Sequence, residues 1–156
     1  MVLVSVAHNA NQYAARYAGA EGIVRRELTV AVNRTGLQGV ARAQSLAAVK
    51  TGHMRRSIAL KSAAPTGSAI TASYGPNAWN NGFPYPVAVE KGRRGFSARR
   101  GRYLRFVING RVIFARSVGP ARAQPFMRPS AQHARAILPR EMRAAVARIR
   151  ARLGVG

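Results

Sequence analysis

The sequence predicts an α+β fold, with a long N-terminal helix and a kinked C-terminal helix packed on a small antiparallel sheet with a projecting hairpin. Three observations carry that prediction. Apolar or small residues recur at helical spacing from Ala20 to about Val49, at Val24, Leu28, Ala31, Thr35, Gly39 and Leu46. Two alternating runs flank Asn109-Gly110 between Arg102 and Val118, the pattern of a hairpin closed by a two-residue type I′ turn. From Pro129 a third segment carries Leu138, Met142, Val146, Ile149 and Leu153 as an apolar stripe that Gly154 stops.

Taken in chain order, Tyr13 and Tyr17 fall in a short lead-in helix. In the first long helix Gly36 and Gly39 are weak points, each costing roughly 1 kcal/mol relative to Ala in a helix interior, so one long helix and two shorter ones meeting near Asn33 to Gly39 are both open. Thr51-Gly52 reads as a helix stop that turns the chain into a strand. Short strands are expected at Ala69 to Tyr74 and Val87 to Glu90. Between them Gly75 to Pro86, with its prolines and the Asn80-Asn81-Gly82 cluster, reads as a loop. A second loop, residues 91–102, holds Lys91, Arg93, Arg94, Arg99, Arg100 and Arg102 among glycines and is expected to stay mobile until an anionic partner orders it.

The hairpin register follows from its turn. Pairing Ile108 with Arg111 places Leu104, Phe106, Ile113 and Ala115 on one face, the better core candidate. Tyr103, Arg105, Val107, Val112, Phe114 and Arg116 fall on the other, a mixture of cations and aromatics that suits a partly covered surface, a subunit contact or a solvated edge. In the last helix Pro139 is expected to kink or restart the chain, and Arg140, Arg143, Arg148, Arg150 and Arg152 lie outside the stripe as a cationic outer surface.

Composition narrows the function. The chain of 156 residues is 47% hydrophobic, enough for one domain over 1–156, with a flexible N-terminus over 1–10 and the basic loop over 91–102. Lys and Arg total 26 against 4 acidic residues, a formal net charge of +22. A monomer so charged repels itself and attracts polyanions, so nucleic acid or acidic protein is the expected neighbour. No Asp occurs, and Glu21, Glu27, Glu90 and Glu141 are the only acids. The absence of cysteine excludes disulfides and thiolate metal sites. The apolar start is too short to span a membrane and lacks the basic opening of a signal peptide, so the expectation is a soluble, cytoplasmic protein.

Catalysis finds little support. His8, His53 and His133 are widely spaced and form no metal-ligand pattern with the four Glu, so no catalytic residue, cofactor or metal is expected. His53 reads as a surface or capping residue, and Ser57 and Ser73 have no nucleophile-elbow setting. No Walker-type loop, dinucleotide fingerprint or base-stacking strand signature occurs. Charge alone gives affinity for phosphate and not sequence readout.

Three separated blocks add a resemblance. Val49-Lys50-Thr51-Gly52-His53-Met54-Arg55-Arg56-Ser57-Ile58 resembles the "TG-x-L-x-x-SI" block of tail-completion, or neck, proteins of tailed bacteriophages. Tyr85-Pro86-Val87-Ala88-Val89-Glu90-Lys91-Gly92 is similar to that family's "Y-x-x-x-VE-x-G" strand, and Gln124-Pro125-Phe126-Met127-Arg128-Pro129-Ser130 to its "PFLRPA" approach to the last helix. The blocks are in the family's order across roughly Ala20 to Leu153. One departure is plain: where the family has an aromatic and then GT after VE, this chain has Lys91-Gly92-Arg93-Arg94 and enters its basic loop.

The resemblance implies a motif set of Thr51, Gly52, Ser57, Glu90, Gly92, Pro125, Phe126, Arg128 and Pro129. It further implies a homo-oligomer, a hexameric ring at the head-to-tail junction of the virion. Such a ring joins a portal-side connector or stopper protein to a tail terminator or tail-tube protein, around a lumen that carries double-stranded DNA. Lys91, Arg93, Arg94, Arg99, Arg100 and Arg102 are then the candidates for contact with DNA or with acidic partners. Tyr103, Arg105, Phe114, Arg116, Phe126 and Met127 are the candidates for subunit interfaces. From the residues themselves, Glu90 is expected to pair with an Arg, and Phe126 with Met127 to form an apolar plug. Two other readings remain: a stand-alone basic protein that binds nucleic acid without sequence preference, and another capsid or tail structural protein.

Overall fold

The computed structural model describes residues 18–49, 52–66, 69–79, 84–99, 103–108 and 110–155. Its elements are α1 (Ala20–Leu46), α2 (His53–Ser57), β1 (Ile58–Thr66), β2 (Ala69–Pro76), α3 (Tyr85–Lys91), β3 (Phe96–Ser97), β4 (Leu104–Ile108), β5 (Arg111–Ala115), β6 (Ser117–Val118) and α4 (Met127–Leu153). The fold is α+β, as expected, but the strands form three two-stranded sheets, β1-β2, β3-β6 and β4-β5, instead of one. The expected lead-in helix, the N-terminus over 1–10, Thr51, and Arg100 and Arg102 lie outside the described residues.

Two compact units make up the chain, one from Met1–Gln38, Leu60–Ser73 and His133–Gly156, the other from Gly39–Ala59 and Tyr74–Gln132. In the first unit α1 and α4 are tied by polar contacts. The Glu27 carboxylate, buried, accepts from Arg148 at 2.7 Å and is 3.2 Å from Arg152. Further along, the Gln38 amide donates to Glu141. The expected stripe holds at Leu138, Met142, Ile149 and Leu153, all half-buried, but not at Val146, which is 44% exposed while Ala145 is fully buried; Arg148 and Arg152, expected on the outer surface, serve an ion pair. The helix continues through Pro139 with no restart. Also in this unit, Asn33 Oδ1 accepts the β1 amide of Ala63 at 2.7 Å.

α1 is a single helix, and its glycines explain why. Gly36 lies under Leu60 in the first unit, and Gly39 lies under the ring of Tyr74 in the second; a Cβ at either would stand within 2.6 Å of those side chains. The helix therefore accepts poor propensity in exchange for close approach by β1 and β2.

The second unit holds the described core: Ala43, Ala47, Met54, Ile58, Ala78 and Phe126 are buried, and Val40, Tyr74, Tyr85, Val89 and Met127 pack against them. Small residues spaced by four, Gly39 and Ala43 on α1 and Ala47 just past its end, leave the room these larger side chains fill.

Gly52 does not stop the long helix but opens a short one. Its φ of 72° lies in the left-handed region that favours glycine, and its carbonyl accepts the Arg56 amide. Residues 87–90, expected as a strand, are helical, and so is the start of the block 85–92 that the resemblance implies to be a strand. Pro86 stands in the first turn, where a missing N–H costs nothing, and Tyr85 and Val89 reach the core one turn apart while Val87 is exposed.

The hairpin register is the expected one throughout, from Leu104↔Ala115 to Ile108↔Arg111, and Gly110 has the positive φ (76°) that a type I′ turn requires. The face expected in the core is only half-buried at Leu104, Phe106 and Ala115, and Ile113 is exposed. Residues 91–99, expected to be mobile, are held by neighbours. Arg93 bridges Ala121, β3 pairs with β6, and the Ala98 amide donates to Arg116.

Candidate functional site: a carboxylate lock and a cationic rim

Glu90 organises the best-defined polar site in the second unit. Its Oε2 accepts the backbone N–H groups of Phe126 (2.7 Å) and Met127 (2.9 Å), and its Oε1 that of Arg128 (3.0 Å). Those amides begin α4, where N–H groups have no intrahelical acceptor and the helix dipole favours negative charge. Glu90 is thus a cap supplied from another element, which corrects the expectation of an Arg partner: three backbone donors satisfy it more completely than one guanidinium. Burial pushes its carboxyl up, but the N–H bonds from Met127, Phe126 and Arg128 and the charge of Arg128 outweigh that and hold it below the usual value.

The surrounding backbone is built to let this happen. Gly92, just past α3, has φ 72°, and a Cβ there would meet the Ala121 carbonyl at 2.7 Å and the Ala123 amide nitrogen at 2.8 Å. The Gln124 amide donates to the Val89 carbonyl at 2.8 Å, fastening the approach to α4 alongside α3. Phe126 is wholly buried, so it is a core plug and not a surface joint; Met127 is half-buried against the same cluster. Ser130, one turn on, is fully buried, donates to the Met127 carbonyl, and so receives the Tyr74 hydroxyl at 3.2 Å.

The three sequence blocks converge here. Met54 and Ile58 come from the first, Tyr85 and Val89 from the second, and Phe126 and Met127 from the third, all in one cluster. Gly52 and Gly92 supply the left-handed turns, Pro129 sits in the first turn of α4, and Pro125 and Arg128 are exposed. The Ser57 hydroxyl is spent on the Met54 carbonyl, and His53 Nδ1 lies 3.1 Å from the Tyr85 hydroxyl.

Of the basic residues, Lys91, Arg94 and Arg99 are exposed and Arg93 is half-buried, its guanidinium 5.2 Å from the Phe96 ring. On the hairpin, Arg116 lies over Tyr103 at 5.9 Å, and Arg105 faces Phe114 across the strands with both exposed. The residues that sequence reasoning missed are Glu27, Tyr74 and Ser130; the scarcity of acid was the available signal for the first, since so few carboxylates in so basic a chain each acquire a structural partner.

Among the described residues no group of His and acidic side chains is placed to hold a metal ion, and no helix is long and apolar enough to cross a membrane. No family model matches the chain, and no curated protein or solved structure is detectably similar to it.

Proposed function

We propose that this chain is a structural subunit of the neck of a tailed-phage virion, a ring component that joins the portal-side connector to the tail and surrounds the DNA channel. The observation that carries the reading is the convergence of the three resembling blocks on one core, with the glutamate of the second capping the helix that the third begins. As a joint, the protein performs no bond chemistry; Lys91, Arg93, Arg94, Arg99, Arg100 and Arg102 meet DNA phosphates or acidic neighbours, and Tyr103, Arg105, Phe114 and Arg116 present the exposed hairpin face to another subunit.

The net charge of +22 favours one rival, a stand-alone nucleic-acid binder. Disrupting the gene in the phage or prophage that carries it separates the two. The neck reading expects filled heads and free tails that fail to join under the electron microscope. Normal infectious particles would reject it.

A further inference from the structure

A cavity of about 280 Å³ lies between α3 and the segment 121–124 in the second unit. One wall is apolar, from Tyr85, Ala88 and Val89; the charged groups that line it are Arg93 and Arg122. Its shape is braced by backbone. Arg93 and Ala121 exchange both N–H bonds, at 3.0 and 2.9 Å, and the Gln124 amide is fastened to Val89. Arg93 lines this frame, and its Nη1 is buried with no hydrogen-bond acceptor among the described residues. A guanidinium N–H withdrawn from solvent needs an acceptor, and an ionised one satisfies it best.

No carboxylate of this unit is free to supply one. Glu90 is the single acidic residue of the unit, and both of its oxygens are taken by the start of α4. We infer that the cavity receives a carboxylate side chain, Asp or Glu, from an acidic partner protein, with Arg93 and Arg122 holding the oxygens and the apolar wall covering the aliphatic stem. The dimensions favour a side chain over nucleic acid. A duplex phosphate is flanked by sugars and further phosphates and meets protruding cations, whereas here Arg122 is exposed but Arg93 is half-buried and held beside Phe96. Arg94 and Arg99, exposed and outside the cavity lining, are the ones placed for phosphate.

The inference stands on the pocket and adds a partner chemistry to the neck reading without depending on it. The test is fluorescence polarisation of the full chain at physiological salt with two labelled probes, an oligoglutamate peptide and a short DNA duplex. The double variant Arg93→Gln, Arg122→Gln is compared with the charge-matched Arg94→Gln, Arg99→Gln. Losing both guanidiniums that line the cavity, one of them half-buried, should weaken peptide binding by about tenfold or more in the pocket variant, against about twofold or less in the rim variant. Duplex binding should fall more in the rim variant. Equal losses of peptide affinity in both variants would overturn the inference, because only a diffuse field would then be acting; so would a larger duplex than peptide loss in the pocket variant, which would indicate a phosphate occupant.

If the pocket variant fails to fold, glutarate titrated into the wild-type chain gives the answer through the Arg93 Nε–H resonance. A saturable shift is expected, and none would overturn the inference. A failed pocket leaves the gene-disruption phenotype untouched, and a normal phenotype leaves the pocket untouched, so the two claims fail separately.

Discussion

At the scale of single residues, acid is so scarce that every carboxylate has a structural task. Glu21 pairs with Arg25 one turn away on the surface, Glu27 holds Arg148 and Arg152, Glu141 meets Arg140 and Gln38, and Glu90 caps α4. Glu90→Ala removes an acceptor shared by three amides and should lower stability by about 2 kcal/mol or more in urea unfolding, with Glu90→Gln costing less because one oxygen remains. Acid should act on the same contacts. The hydrogen bond from Arg148 holds Glu27 below its ordinary value against the opposing effect of burial, with help from the charges of Arg152, Arg148 and Arg26, and Glu90 is likewise depressed. Groups with lowered folded-state pKa stabilise above their unfolded value and lose that stability as pH falls through the folded one. The melting temperature should therefore hold from neutral pH down to about 4.5 and fall below it; in Glu90→Ala the acid-induced fall should be shallower.

At the scale of elements, the glycines of α1 make a controlled series. Gly22 has nothing within 4 Å of an added Cβ, so Gly22→Ala should stabilise by roughly 0.5–1 kcal/mol through helix propensity alone. Gly36→Ala presses on the free end of Leu60, which can rotate away, and the gain and loss should nearly cancel. Gly39→Ala drives into the Tyr74 ring, whose hydroxyl is tied to Ser130, and should cost about 1–3 kcal/mol despite better propensity. Thermal melts of the three variants check the order.

The same scale shows what could be read from the sequence. The hairpin was legible to its register because a two-residue turn fixes pairing locally, and α1 and α4 were legible from their spacing. Residues 85–90 were not, because Tyr85, Val87 and Val89 alternate like a strand while the proline signals at 84 and 86 point to a helix start. The burial of Ala145 and Glu141 in place of Val146 depends on α1 across the first unit, and the Glu90 cap spans 36 residues of sequence. Neither follows from any local pattern.

At the scale of the whole molecule, the four engaged glutamates leave the cations largely uncompensated, and on the proposed reading that field acts on the partners of a joint. An isolated two-stranded hairpin is marginal in water, yet β4-β5 exposes Val107, Val112, Ile113 and Phe114, which is the condition of a surface that an assembly covers. Replacing Arg94 and Arg99 with Ala should lower the slope of log affinity for duplex DNA against log salt by about 1–2, as two phosphate contacts are lost; an unchanged slope would place those arginines against protein instead. The central claim is that this chain is a passive joint between head and tail, and a reconstruction of the assembled virion tests it most directly. The account predicts a closed ring of this chain at the junction, with its hairpin on a neighbouring subunit and DNA passing through the centre. Finding the chain absent from the particle, or confined to the capsid shell, would contradict it.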